Sequence, residues 1–265
     1  MHMTEPTKPT PPPFDRQAFE RMIRRTAILH QWFEPTIESI DNIPREGGAL
    51  LVTNHGNFGL DLAVLIGLIH QGAGRVLRSL GDRLVFATPF IRDLARDMGI
   101  IEGQPAATIG LLQDDQLVLV YPGGAKEALS APEDAYRLQW EGSRGFIRTA
   151  LRAQKPIIPV AGIGNEELYV QLVSRDRVRE SRIGRFVSEL LGEKYVTPIY
   201  MGLGAIPFPT ELHYIIGKPI HLPYGPEAAD DEEIVAKLHQ QVTDATQQLI
   251  YRGLDDRKQA NPNRR

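Results

Sequence analysis

The 265-residue chain contains no cysteine, which excludes disulfides, thiolate metal sites and a thiol nucleophile. It has no uninterrupted stretch of ~18 apolar residues, so no segment is expected to cross a membrane as a helix. Neither sign of charge dominates: 30 basic residues stand against 33 acidic ones, a net charge of −3. No nucleic-acid partner is expected from that balance, and any basic surface must be local. A Gly-x-Ser-x-Gly elbow is missing, as is a nucleotide P-loop. The first thirteen residues are polar and rich in proline rather than apolar, so they read as a leader and not as a signal peptide. A reducing cytoplasm is the simplest compartment for such a chain.

What is present is enough apolar residue, 42% of the chain, to build one large α/β core. Short apolar runs at 49–52, 117–121 and 156–161 read as buried strands, and each opens into a turn rich in glycine or polar residues. Further strands are expected at 36–40, 74–77, 199–203 and 212–216. Helices are expected at 61–70, 90–98, 105–113, 145–152 and 230–251. Strands alternating with helices predict a single layered α/β domain with a mostly parallel central sheet flanked by helices. An amphipathic helix should precede it, at 15–33. The domain is placed at 15–252, between a flexible leader at 1–14 and a charged tail at 253–265.

The informative stretch is Leu51-Val52-Thr53-Asn54-His55-Gly56-Asn57-Phe58-Gly59-Leu60-Asp61. A histidine sits at the lip of a strand, where open parallel sheets bind ligands, and an aspartate sits in the first turn of the following helix. A carboxylate on one imidazole nitrogen would fix the tautomer, and the other nitrogen could take a proton from a substrate hydroxyl. The same residues also suit plain structure, with Asp61 capping the helix and His55 held in a turn.

A second turn, Pro122-Gly123-Gly124-Ala125-Lys126-Glu127, follows the strand at 117–121. Paired glycines let backbone N–H groups approach a ligand, and Lys126 can meet an anion. Two segments are cationic and amphipathic. One is 15–33, with Arg16, Arg21, Arg24 and Arg25 beside Trp32 and Phe33; the other is 174–191, with five arginines. Both compositions suit an anionic membrane surface. Both equally suit helices docked on the protein with solvated arginines.

Taken together, Asn54-His55 with Asp61, Tyr121-Pro122-Gly123-Gly124 with Glu127, Trp140 with Arg144-Gly145-Phe146, and Pro159 with Gly164-Asn165-Glu166 resemble the lysophospholipid/glycerolipid acyltransferase superfamily. The Pro-Gly-Gly-x-x-Glu form is most similar to the branch of type-two diacylglycerol acyltransferases and plant phytyl ester synthases. The resemblance implies transfer of an acyl group from acyl-CoA, or acyl carrier protein, to a lipid hydroxyl. It also implies a peripheral position on the inner face of a membrane. His55 would be the base and Asp61 its orienting carboxylate. Gly123 and Gly124 would support the oxyanion, while Asn54, Lys126, Glu127 and Arg144 would bind or frame the substrates. No metal and no bound cofactor is expected, because acyl-CoA or acyl carrier protein enters as a co-substrate.

Two departures from the family pattern bear on this reading. Five residues separate His55 from Asp61 where the family usually has four, so the His–Asp contact is an assumption. The segment Gly99-Ile100-Ile101-Glu102-Gly103 carries no arginine for phosphate, and Lys126 is a point charge rather than a bidentate fork. The acceptor is therefore expected to be a neutral glycerolipid or alcohol. The alternatives are a lysophosphatidate acyltransferase, a lipid esterase using water, and an inactive lipid-binding protein.

Overall fold

A computed structural model describes residues 14–56, 59–192, 196–203 and 206–260. The leader up to residue 13, the end of the tail and two residues of the His55–Asp61 turn lie outside the described residues. In chain order the elements are α1 (Arg16–Phe33), β1 (Thr36–Glu38), β2 (Ala49–Thr53), α2 (Asp61–Ala73), β3 (Leu77–Gly81), α3 (Arg83–Ala87), α4 (Pro89–Asp97), β4 (Ile101–Glu102) and α5 (Pro105–Gln113). There follow β5 (Leu117–Val120), α6 (Gly124–Ala128), α7 (Gly145–Ala153), β6 (Ile157–Ile163), β7 (Val170–Val173), α8 (Arg175–Glu180), α9 (Arg182–Leu191), β8 (Ile199–Met201), β9 (His213–Ile216) and α10 (Glu232–Ala260).

The α/β expectation holds. Seven strands form one sheet in the order β1-β9-β6-β2-β5-β3-β4. The five from β6 to β4 run parallel, and β9 meets β6 antiparallel, so β9 and β1 close one edge in the opposite direction. A separate antiparallel pair, β7 with β8, stands outside this sheet.

Central strands read as unbroken apolar runs because both faces are covered. All five residues of β2 are buried. Leu50 and Val52 join the core beneath α5, α7 and α10, while Ala49 and Leu51 join the core beneath α1 and α2. Full burial of each leucine or valine contributes about 1.5–3 kcal/mol, which anchors this strand at the centre of the sheet. The connection leaving β2 runs onto one face, and that leaving β5 leads to α7 on the other. The crevice between the ends of β2 and β5 is thus a topological switch point, the place where such sheets bind ligands.

The structure revises two boundaries and adds short elements. The strand expected at 74–77 begins at Leu77 instead, since Gly74, at φ +67°, caps α2 by donating its N–H to the His70 carbonyl. A left-handed glycine ends the helix before the strand can start. The tail expected from 253 is instead the last part of α10, which reaches Ala260. Gly253 does not break that helix but lets it cross the sheet closely, since a Cβ there would sit 2.8 Å from Ile163 Cγ1. Finally, β7 and α3 are short elements that no periodicity announces.

The amphipathic segments have different fates. Asp15 caps α1 by accepting the Ala18 N–H at 2.9 Å. The helix buries Phe19, Met22 and Phe33, yet leaves Ile28 and Trp32 facing outward among exposed arginines. α9 turns its apolar stripe to solvent: Ile183, Phe186 and Leu190 are 75%, 64% and 68% exposed. Among the described residues, no helix is long and apolar enough to cross a membrane.

Candidate active site

His55 stands two residues past the end of β2 and lies in the wall of a cavity of about 930 Å³, near the upper end of the range for ligand sites. The register sets Val52 beside Val120, so the residues beyond β2 meet those beyond β5. The His55 ring packs on Tyr121 with centroids 4.3 Å apart. Its Nδ1 lies 2.6 Å from the Gly56 carbonyl oxygen. A carbonyl only accepts, so Nδ1 carries the proton and Nε2 is the basic nitrogen. Burial lowers the pKa of this imidazole, partly offset by the Gly56 bond, which keeps it neutral at physiological pH.

The expected His55–Asp61 pair is not formed. Asp61 is buried, and its Oδ2 receives a long 3.5 Å contact from Asn165 Nδ2. Its backbone carbonyl accepts the Tyr214 hydroxyl at 3.0 Å. Gly56 lies between the two side chains, since a Cβ on it would come within 3.0 Å of Asp61 Oδ1. With no cation beside it, the Asp61 carboxyl is pushed up to about 7 by burial, against a smaller opposing effect from Asn165. The Gly56 backbone carbonyl takes the orienting place instead.

Glu127 ties the two motifs together. Its Oε2 accepts the His55 N–H at 3.1 Å and its Oε1 the Gln139 N–H at 2.8 Å. Burial raises this carboxyl too, to about 7, partly offset by those N–H bonds. Gly123 is required for the arrangement, because a Cβ there would stand 2.2 Å from Glu127 Cδ. Asn54 frames the site from the other side. Its Nδ2 donates to the Gly162 carbonyl at 2.9 Å and its Oδ1 accepts the Gly162 N–H at 2.8 Å. That pairing occupies the amide, so Asn54 couples β2 to β6 rather than contacting a substrate.

Two further expectations, for Gly124 and Arg144, are corrected. The Gly124 N–H is committed to the Tyr121 carbonyl at 3.0 Å, which removes it as an oxyanion donor. Arg144 points to Glu232 of α10, 3.5 Å away, and does not line the cavity. Lys126 is exposed and pairs with Glu141 at 3.5 Å. Both are long charged side chains at the protein surface, where solvent and a nearby carboxylate compete for them.

Sequence reasoning missed the cavity wall. α1 supplies Met22, Leu29 and Phe33, and α4 supplies Ile91, Leu94 and Ala95. Amphipathicity marks such residues as buried without saying that they face an empty space. Three wall threonines add to the apolar character: Thr26, Thr108 and Thr149 each donate the hydroxyl to a carbonyl of their own helix. Apart from His55 and Tyr121, Asp82 is the one ionisable side chain among the described wall residues, and no lysine or arginine is there.

The family described as diacylglycerol acyltransferase matches residues 48–259. The chain belongs to that family. An uncharacterized protein of Mycobacterium tuberculosis is 34% identical over 241 residues, covering 87% of this chain and 64% of the relative. A bovine protein named as a DGAT1/2-independent enzyme synthesizing storage lipids is 30% identical over 219 residues, covering 83% and 60%. The chain thus spans somewhat under two thirds of the length of these relatives. Among solved structures, the 1-acyl-sn-glycerophosphate acyltransferase PlsC of Thermotoga maritima shares the fold, with a TM-score of 0.54 at 14% identity, covering 89% of this chain and 83% of that one.

Proposed function

We propose that this member of the diacylglycerol acyltransferase family transfers a fatty acyl group from acyl-CoA or acyl carrier protein to a neutral lipid hydroxyl at a membrane surface. The observation that carries the reading is His55: an imidazole whose Nδ1 is held by a carbonyl, at the wall of an apolar cavity. His55 Nε2 takes the acceptor's hydroxyl proton as the oxygen attacks the thioester carbonyl. The tetrahedral intermediate then collapses, the carbon–sulfur bond breaks, and the imidazolium returns the proton to the departing thiolate. An ester and a free thiol result, with no acyl-enzyme. Gly123 is the remaining glycine for the oxyanion, and Lys126 exchanges Glu141 for a phosphate of the donor.

A neutral acceptor is supported by the wall, where no described lysine or arginine could hold a phosphomonoester. A peripheral membrane position is supported by the outward apolar residues of α1 and α9 among exposed arginines. The test is thiol release from long-chain acyl-CoA in mixed vesicles containing monoacylglycerol, diacylglycerol, a fatty alcohol or lysophosphatidic acid. Release should require a neutral alcohol, and His55→Ala should lower it by roughly 10²–10⁴, the usual worth of a general base. Release without an acceptor would make the protein an esterase. Full activity in His55→Ala would remove the mechanism.

A further inference from the structure

The cavity divides at the edge of the sheet. Leu50, Leu80, Val120 and Phe146 line it and belong to or pack on the core under α5 and α7, where Thr108 and Thr149 complete the wall. Leu29, Phe33, Leu62, Met98 and Ile100 also line it, but they belong to or pack on the core of the opposite sheet face, under α1 and α2. Leu50 and Leu51 are adjacent in β2, point to opposite faces and belong one to each core, so the two linings lie on opposite sides of the sheet. They are two lobes, one on each side of the sheet, that meet over the end of β2, where His55, Tyr121 and Gly124 stand.

The rims differ in character. The lobe under α5 and α7 reaches the surface at Gly103, Gln104 and Pro105, an exposed loop without large apolar side chains. The lobe under α1 opens past Leu60, Ile91 and Leu94, wall residues that are themselves 40%, 45% and 40% exposed. Phe90, beside this rim, is 81% exposed. A polar rim suits a thioester delivered from water, whereas an apolar rim suits a lipid leaving a bilayer.

Resting on the acyltransfer reading, we infer that the two lobes hold two hydrocarbon chains at once: the donor's acyl chain under α5 and α7, and the acceptor's own chain under α1 and α4. Their reacting ends meet at His55. The acceptor is then a long-chain alcohol or acylglycerol, recognised through its hydrocarbon rather than through a charged headgroup. Thr149 and Ala95 become specificity-determining residues for donor and acceptor respectively. Both are buried wall residues on helices, α7 and α4.

The experiment measures binding, not turnover. Hexadecyl-CoA, a thioether that cannot transfer its chain, and 1-hexadecanol are titrated separately and together by calorimetry and native mass spectrometry in dilute detergent. The wild-type protein should carry both ligands in one complex, neither weakening the other. Thr149→Trp should weaken the thioether by about tenfold, what losing roughly two buried methylenes costs, and leave the alcohol unchanged. Ala95→Trp should do the reverse, and Thr149→Met and Ala95→Leu should show the same pattern more weakly if a tryptophan prevents folding. Mutual displacement of the two ligands in the wild type, or loss of the same ligand in both variants, would overturn the two-lobe assignment. A wild type that binds both chains yet never releases thiol from acyl-CoA would sink the proposed activity and leave the lobes standing.

Discussion

The backbone N–H of His55 donates to Glu127 Oε2 across 72 residues of sequence, at 3.1 Å. The other oxygen of the same carboxylate accepts from Gln139 at 2.8 Å. Two donors converge on the two oxygens of one carboxyl, so Glu127 is a positioning residue that holds the base from behind.

Glu127→Gln turns one of those acceptors into an NH₂ group facing an N–H. The variant should lose about 1–3 kcal/mol, the cost of leaving a buried donor unpaired, and its turnover should fall with KM little changed. Urea unfolding together with steady-state kinetics measures both. An unchanged unfolding midpoint would mean that the clamp contributes nothing.

Asp61→Asn separates the observed geometry from a His–Asp dyad. Where an aspartate truly orients the base, the amide costs about 10⁴ in kcat. Here the Gly56 carbonyl holds Nδ1, and the Asp61 carboxyl, raised by burial to about 7, makes no bond to the imidazole. Turnover of Asp61→Asn should therefore stay within about tenfold of the wild type. A collapse to the dyad's value would show that His55 swings to Asp61 during the reaction.

Stability should fall as the pH rises from 5 to 8. Asp61, Glu127 and Glu166 are all pushed up to about 7, in each case first by burial, from ordinary values of 3.8 and 4.5. The folded protein holds these protons more tightly than the unfolded chain. Its advantage is complete below the ordinary carboxylate range and is lost as the pH climbs through about 7, on the order of 1 kcal/mol or more per group. Urea midpoints at pH 5 and pH 8 measure the slope, which Asp61→Asn should flatten. A midpoint that rises over this range would show the carboxyls to be ionised and paired.

Vesicle co-sedimentation tests the outward faces of α1, α4 and α9. Arg21, Arg24, Arg25, Arg182 and Arg185 are exposed near outward apolar residues, and each basic residue near an anionic surface is worth about 1 kcal/mol. Binding to phosphatidylglycerol vesicles should exceed binding to phosphatidylcholine and weaken with added salt. Phe186→Asp and Phe90→Asp should each reduce it. Binding indifferent to both salt and lipid charge would exclude the electrostatic contribution.

Much of the fold was legible in the residue pattern, because local physics decides it. The runs at 49–52, 117–121 and 156–161 are too apolar to be surface and too short and well punctuated to be helices, and they became β2, β5 and β6. Pro105 begins α5 as a proline in the first turn should. His55 at the end of β2 and Gly123 after β5 were legible for the same reason, since chain ends of parallel strands face one common edge. Gly253 stands where the charged tail is expected to begin, and only its close approach to Ile163 and Ile215 shows why the helix passes through it.

The sequence alone therefore determined the central strands and the longer helices and which edge of the sheet carries the chemistry, since both follow from periodicity and turn residues along the chain. Tertiary structure alone decided what each polar side chain there meets. Asn54 closes on Gly162, 108 residues away, and Arg144 turns to Glu232, 88 residues away. Asp61 is isolated behind Gly56, and the two-lobed cavity arises from helices that line it together without being neighbours in sequence. Such partners depend on which surfaces meet in space, and no local spacing records that.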